Sequence, residues 1–175
     1  MTRLLCILTV TAWSLLALWS PPTVVAAAPT WWVEPAMATC ESLGVPGRLA
    51  VAIILTESGG QPYAIRVNQG QGRAIFPTTY AAGVRAVDVA RQATANLDLG
   101  LFQVNYCTWG PRLGLTPAQL LHPDVNLWAG CTVLREALAA GGAPWQQIGR
   151  YHSPTPARQR AYAHKVATWL TALTK

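Results

Sequence analysis

The sequence predicts a mainly α (α+β) domain of about six helices with one small β-hairpin or extended element. Three observations support this. Apolar residues recur at helical spacing through most of the chain. Strict alternation occurs locally, at Leu97, Leu99 and Leu101. Glycine and proline clusters separate these segments at the places where helices begin and end.

Taken in order, "EPAMATCESLG" predicts a short helix with Pro35 in its first turn and Gly44 at its end. "VPGRLAVAIILTES" predicts a second helix, apolar nearly all round and therefore interior, with Val51, Ile54 and Leu55 on one face. It runs directly into Glu57. "SGGQPYAIRVNQGQGRAIFP" is rich in glycine and polar residues and reads as loop, and "TTYAAGVRAVDVARQAT" returns to helix with Val84 and Val87 on one side. "ANLDLGLFQVNYC" supplies the extended element. "TPAQLL" opens a helix with Thr116 as N-cap, Pro117 at the first position and Gln119 completing a capping box. "NLWAGCTVLREALAAGG" is amphipathic through Leu127, Cys131, Leu134 and Leu138, which turns Cys131 inward. "APWQQIGRYHS" is a short helix ending near Tyr151, and "RQRAYAHKVATWLTAL" a last one with Tyr162, Val166, Trp169 and Leu170 together.

The N-terminus has the layout of a secretory signal peptide over 1–28. Arg3 precedes an apolar run from Leu4 to Trp19, followed by prolines and then Ala26, Ala27 and Ala28 as cleavage positions. The run is shorter than the roughly 20 residues of a membrane span, so no span is expected in the mature form. Residues 29–175 are expected to form a single domain, periplasmic or otherwise exported. Export favours one disulfide among Cys40, Cys107 and Cys131, and the sequence leaves all three pairings open. Formal charge is +6, but the basic residues are spread singly without interleaved aromatics, so nucleic acid is not an expected partner. The scattered histidines and the lack of Cys-x-x-Cys or His-Glu-x-x-His spacing predict no metal and no cofactor.

Four separated stretches, "ESGG", "LDLGLFQVN", "HPDVNLWAG" and "GRYHSPTP", combine in this order. Together they resemble the lysozyme-like SLT domain of lytic transglycosylases, over residues 31 to 170. The likeness is greatest to the small specialised enzymes associated with conjugation and type IV or type III secretion. On this resemblance the catalytic glutamate is Glu57, followed by Ser58. The Gly-Leu-Met-Gln motif falls on Gly100, Leu101, Phe102 and Gln103, with Phe in place of Met. The Asn-Leu pair falls on Asn126 and Leu127, and the motif tyrosine on Tyr151, with His152 where Asn is usual. The implied partners are peptidoglycan glycan strands and components of a secretion or conjugation apparatus.

The chemistry gives the apolar run before Glu57 a purpose. A glycosidic oxygen leaves poorly until protonated, so cleavage needs an acid that keeps its proton, and apolar surroundings disfavour the charged form of a carboxyl. Most glycosidases use two carboxylates. Glu34, Glu41, Asp88 and Glu136 look peripheral, which leaves Asp98 as a candidate partner or as a turn residue bonding its own backbone. The resembled family needs one carboxylate: attack by the muramic acid's own C6 hydroxyl gives a 1,6-anhydro ring. Gln103 and Tyr151 are the expected substrate-binding groups. Ser58 either contacts sugar or finishes its helix, and Asn126 either contacts sugar or caps its helix. His152 is expected to make a loop hydrogen bond. Trp109, Trp128 and Trp145 are expected as core or partly buried filler. The competing readings are a lysozyme-type hydrolase with Asp98 placing a water, and a non-catalytic wall-binding assembly module.

Overall fold

The computed structural model describes residues 30–174. The segment read as a signal peptide lies outside them. Among the described residues there are eight helices and four short strands: α1 (Val33–Ser42), α2 (Gly47–Glu57), β1 (Ile65–Val67), β2 (Arg73–Ile75), α3 (Tyr80–Arg91), β3 (Leu97–Leu99), β4 (Val104–Asn105), α4 (Tyr106–Leu113), α5 (Pro117–Leu121), α6 (Pro123–Ala139), α7 (Pro144–His152) and α8 (Pro156–Ala172). The mainly α, α+β class is therefore observed, with more helices than the six expected and a four-stranded sheet in place of one hairpin. No described helix is long and apolar enough to cross a membrane.

The core is organised by α2. Leu49 through Ile54 are buried without a break, as expected for a helix that is apolar on every side. It packs against α1 and α8. α1 is fastened in turn to α6 by a disulfide between Cys40 and Cys131, 91 residues apart. This resolves the open pairing and leaves Cys107 as an exposed free thiol. α6 carries Asn126, Leu127, Cys131 and Leu134 into the interior, so its buried stripe is as expected. On α8, Tyr162 and Val166 are buried, but Trp169 is exposed because the stripe ends before the helix does.

The sheet is antiparallel in the order β2-β1-β3-β4. Its register puts Arg66 opposite both Ala74 and Asp98, and Asp98 opposite Asn105. Alternation buries Ile65, Val67, Leu97 and Leu99, and turns Arg66 and Asp98 outward. Thus one face of the sheet is core and the other a row of polar side chains. Two stretches differ from the sequence reading. β1 and β2 lie in the segment read as loop, since three-residue strands between glycines are too short to show a period. α4 has no counterpart in that reading, because Gly110 and Pro111 look like a break. Its start is capped by Asn105, whose Oδ1 accepts from the Thr108 N–H at 3.0 Å, and its proline falls in the last turn.

The turn between β3 and β4 depends on two glycines. Gly100 has φ of +74°, and a Cβ there would lie 2.5 Å from Asn126. At Gly130 on α6, a Cβ would lie 2.1 Å from the Phe102 ring. Without these side chains the turn sits directly on α6.

Reducing the Cys40–Cys131 bridge removes a long-loop constraint on the unfolded chain, for an expected loss of about 2–5 kcal/mol. Urea unfolding with and without reductant, read by tryptophan fluorescence, checks this. An unchanged midpoint contradicts it.

Candidate active site

Glu57 is the last residue of α2. The helix is buried up to Ile54, and its next turn emerges into a cleft of about 820 Å³. The carboxyl arrives there with its side chain only 15% exposed. Opposite stands the C-terminal end of α7, where His152 Nδ1 lies 3.8 Å from Glu57 Oε1. The imidazole is held in place by stacking on Tyr162, with ring centroids 4.6 Å apart and planes within 1°. Tyr162, from α8, brings a buried hydroxyl that has no partner at ordinary hydrogen-bond distance. Burial raises its pKa, and the charge of the nearby Glu57 raises it further. A formed bond is not present, so charge proximity couples the two.

The polar face of the sheet makes another wall of the cleft, through Ala74, Arg66, Asp98 and Asn105. Asp98 belongs to β3 and is not the turn residue considered from the sequence. Its two carboxylate oxygens accept from Asn68 Nδ2 and Asn105 Nδ2, each at 2.7 Å. Both amides reach it because β1 and β4 flank β3.

Gln103 lines the cleft with a left-handed backbone, φ +48°. Its Nε2 donates to the carbonyls of Ala64 and Gly100, at 3.0 and 2.9 Å. Two carbonyl partners fix which end of the amide is nitrogen. No described group donates to its Oε1, which remains as an acceptor. Tyr151 also lines the cleft, but its hydroxyl donates to the Phe102 carbonyl at 2.6 Å. It therefore ties α7 to the Gly100–Gln103 turn.

The structure brings Glu57, Asp98, Gln103 and Tyr151 to one cleft. It does not bring Ser58 or Asn126 there. Ser58 is buried, its Oγ donating to Ile54 O and accepting from the Gly60 N–H, both at 3.2 Å, so it finishes the helix. Asn126 is not a helix cap either, because α6 starts at Pro123 and His122 is the N-cap. It is fully buried. Its Oδ1 accepts from the Phe102 N–H at 2.9 Å, and its Nδ2 donates to Leu99 O and Leu120 O, both at 2.8 Å.

Sequence reasoning missed the part played by His152 and Tyr162, and the two amides on Asp98. His152 is not confined to a loop contact: it ends α7 and faces Glu57. The signal for Tyr162 was its place between Arg158 and Lys165 on one stripe of α8. Trp109, expected as filler, lines the cleft under the Arg112 guanidinium, which sits 4.2 Å from its ring. Trp128 is exposed on α6.

Burial raises Tyr151 and Tyr162 well above the ordinary phenol pKa of 10.0. The charge of Glu57 adds to both, with Asp98 adding to Tyr151 and Tyr151 to Tyr162. Both stay protonated at neutral pH. The stability this implies is fully present below the unfolded value of about 10 and is lost as pH rises beyond it, because the unfolded chain releases protons that the folded one keeps. Urea unfolding should show stability falling above about pH 10, with a shallower fall in Tyr162→Phe. Identical slopes contradict it. Replacing Asn126 by Ala removes three buried hydrogen bonds, for a loss of about 3 kcal/mol at about 1 kcal/mol each. The same unfolding assay measures this, and a loss below half that figure contradicts it.

Comparison with curated proteins finds no match, and comparison with solved structures finds none. Among protein-family models, that of the transglycosylase SLT domain matches residues 36–168, a span that runs from α1 into α8 and holds every cleft residue described above. The chain therefore belongs to the SLT family of lytic transglycosylases, enzymes that act on peptidoglycan.

Proposed function

We propose that this protein cleaves the β-1,4 bond between N-acetylmuramic acid and N-acetylglucosamine without water, leaving 1,6-anhydro-muramic acid ends. The observation that carries this reading is one carboxyl, Glu57, delivered by a buried helix to the wall of an open cleft. In the first step Glu57 gives its proton to the glycosidic oxygen as the bond to C1 breaks. In the second, the Glu57 carboxylate takes the proton of the C6 hydroxyl while O6 bonds to C1. The acid is regenerated and no atom is gained or lost. The nucleophile is already tethered to the sugar, so proximity replaces a bound water.

The other cleft groups have roles that fit. Gln103 offers its free Oε1 to an acetamido N–H while two carbonyls hold its nitrogen. Tyr151 holds the turn that presents Gln103. Ser58 and Asn126 act as support for the helix end and the turn. Asp98, fixed by two amides, is the observation favouring the second reading, a hydrolase in which that carboxylate places a water. Residues 1–28 as a signal peptide and 29–175 as one exported, periplasmic domain complete the proposal. The motif likeness to secretion-associated enzymes supports local wall opening for a conjugation or secretion apparatus.

Mass analysis of digested muropeptides separates the two chemistries, since anhydro ends are lighter than reducing ends by one water. Anhydro products are expected, and reducing ends would establish the hydrolase. Glu57→Gln is expected to lower the rate by about 10²–10⁴-fold with the fold intact by circular dichroism. Undiminished activity in that variant removes Glu57 as the acid of either reaction.

A further inference from the structure

The imidazole of His152 stands beside the acid with no task in the reaction above. It lines the cleft, and its Nδ1 lies 3.8 Å from Glu57 Oε1. Among the described residues, Glu57 is its one ion-pair partner and its side chain has no hydrogen bond. What the ring has is a fixed plane. It lies parallel to Tyr162, and Tyr162 in turn stacks on Tyr151 with centroids 6.5 Å apart. The far end of this stack is tied down by the Tyr151 hydroxyl on the Phe102 carbonyl. A ring held by its face keeps its nitrogens in one plane, with Nδ1 turned to the carboxyl.

At 3.8 Å the contact is longer than a hydrogen bond. Catalytic contacts are often long without substrate and tighten in the working complex. A neutral imidazole with its proton on Nδ1 donates to one oxygen of a carboxylate and leaves the other free. Glu57 is that carboxylate once the glycosidic oxygen has taken its proton, and the free oxygen is the one that meets the C6 hydroxyl. An imidazolium opposes the first step. A cation beside a carboxyl favours the ionised form, so the acid loses its proton before the sugar bond breaks.

The other groups around the ring do not share this change of charge. Burial first, and the charge of Glu57 second, hold Tyr151 and Tyr162 well above the usual phenol value, so both stay neutral. Arg66 on β1, Arg150 on α7, and Arg158 and Lys165 on α8 also line the cleft. Arginine and lysine side chains keep one charge through the neutral and mildly acid range. Asp98 on β3 is engaged by two amides. The remaining histidines, His122 and His164, do not line the cleft.

Resting on the proposed reaction, we propose that His152 is a positioning residue for Glu57 that works as the neutral imidazole, so that protonating it slows cleavage. Asparagine offers an N–H donor and carries no charge at any pH, which makes it the informative replacement. Leucine fills the place with no donor.

The test follows muropeptide release from purified sacculi between about pH 5.5 and about pH 7.5, the range in which histidine changes charge. Wild type, His152→Asn and His152→Leu are compared, with folding checked by circular dichroism at both ends of the range. At the upper end His152→Asn should stay within about threefold of wild type, and His152→Leu should lose about tenfold. Towards the lower end the ratio of His152→Asn to wild type should rise about tenfold, as an ordinary imidazole takes up its proton. The ratio cancels any effect of pH on the substrate.

A ratio that stays constant across the range overturns the proposal. So does a folded leucine variant as fast as wild type, or an asparagine variant as slow as the leucine one. If the leucine variant does not fold, the asparagine ratio decides alone. Each of these results with anhydro ends still formed leaves the proposed reaction standing. Absence of anhydro ends from the wild-type digest overturns that reaction and this inference with it.

Discussion

The site depends on a buried amide. Asn126 reaches from α6 to the Phe102 N–H, the Leu99 carbonyl and the Leu120 carbonyl, so three segments meet on one side chain. Inside protein an unpaired backbone group is costly, and Asn126 partners all three of these groups at once. The turn after β3 therefore has one place to sit. From that place follow the left-handed conformation at Gln103, the aim of its amide and the carbonyl to which Tyr151 is tied. Gly100 and Gly130 are the steric counterpart, because side chains at either would push the turn off the helix.

The second constraint is the all-round burial of α2. A helix with no polar face cannot surface along its length, so it can present a polar group only at an end. Glu57 occupies that end. The carboxyl is then surrounded by what packs there: the imidazole of His152, the stacked ring of Tyr162 and the hydroxyl that ring carries. The same phenol that finds no regular hydrogen-bond partner is held beside the Glu57 carboxyl. Hydrophobic packing, in this arrangement, is what places the chemistry.

Much of this was legible in the sequence, and the reasons for the remainder are physical. Apolar periodicity showed α2, α6 and α8, and the capping box showed α5, because those signals are local. The extended segment at Leu97 was visible by alternation, yet its partners β1 and β2 were not, since three-residue strands leave no period to detect. Of the candidate site residues, Glu57 could be singled out by its position after an apolar run. Asn126 could not be distinguished from a sugar contact, because an asparagine bonding a backbone across 24 residues looks the same in sequence as one capping its own helix. Asp98 stayed open between a partner carboxylate and a turn residue for the opposite reason. Its local context is turn-like, whereas its amide partners come from a strand register that no local pattern contains. The disulfide needed the fold as well, since any pairing of three cysteines fits the chain.

Tyr151 and His152 are neighbours in the chain, and each touches a different part of the cleft. The first is bonded to the turn at Phe102 and the second faces the acid on α2. The end of α7 thus works like the crossbar of a yoke. Any shift of that helix end which stretches one contact stretches the other, so the mouth cannot be widened there while Glu57 keeps His152 beside it.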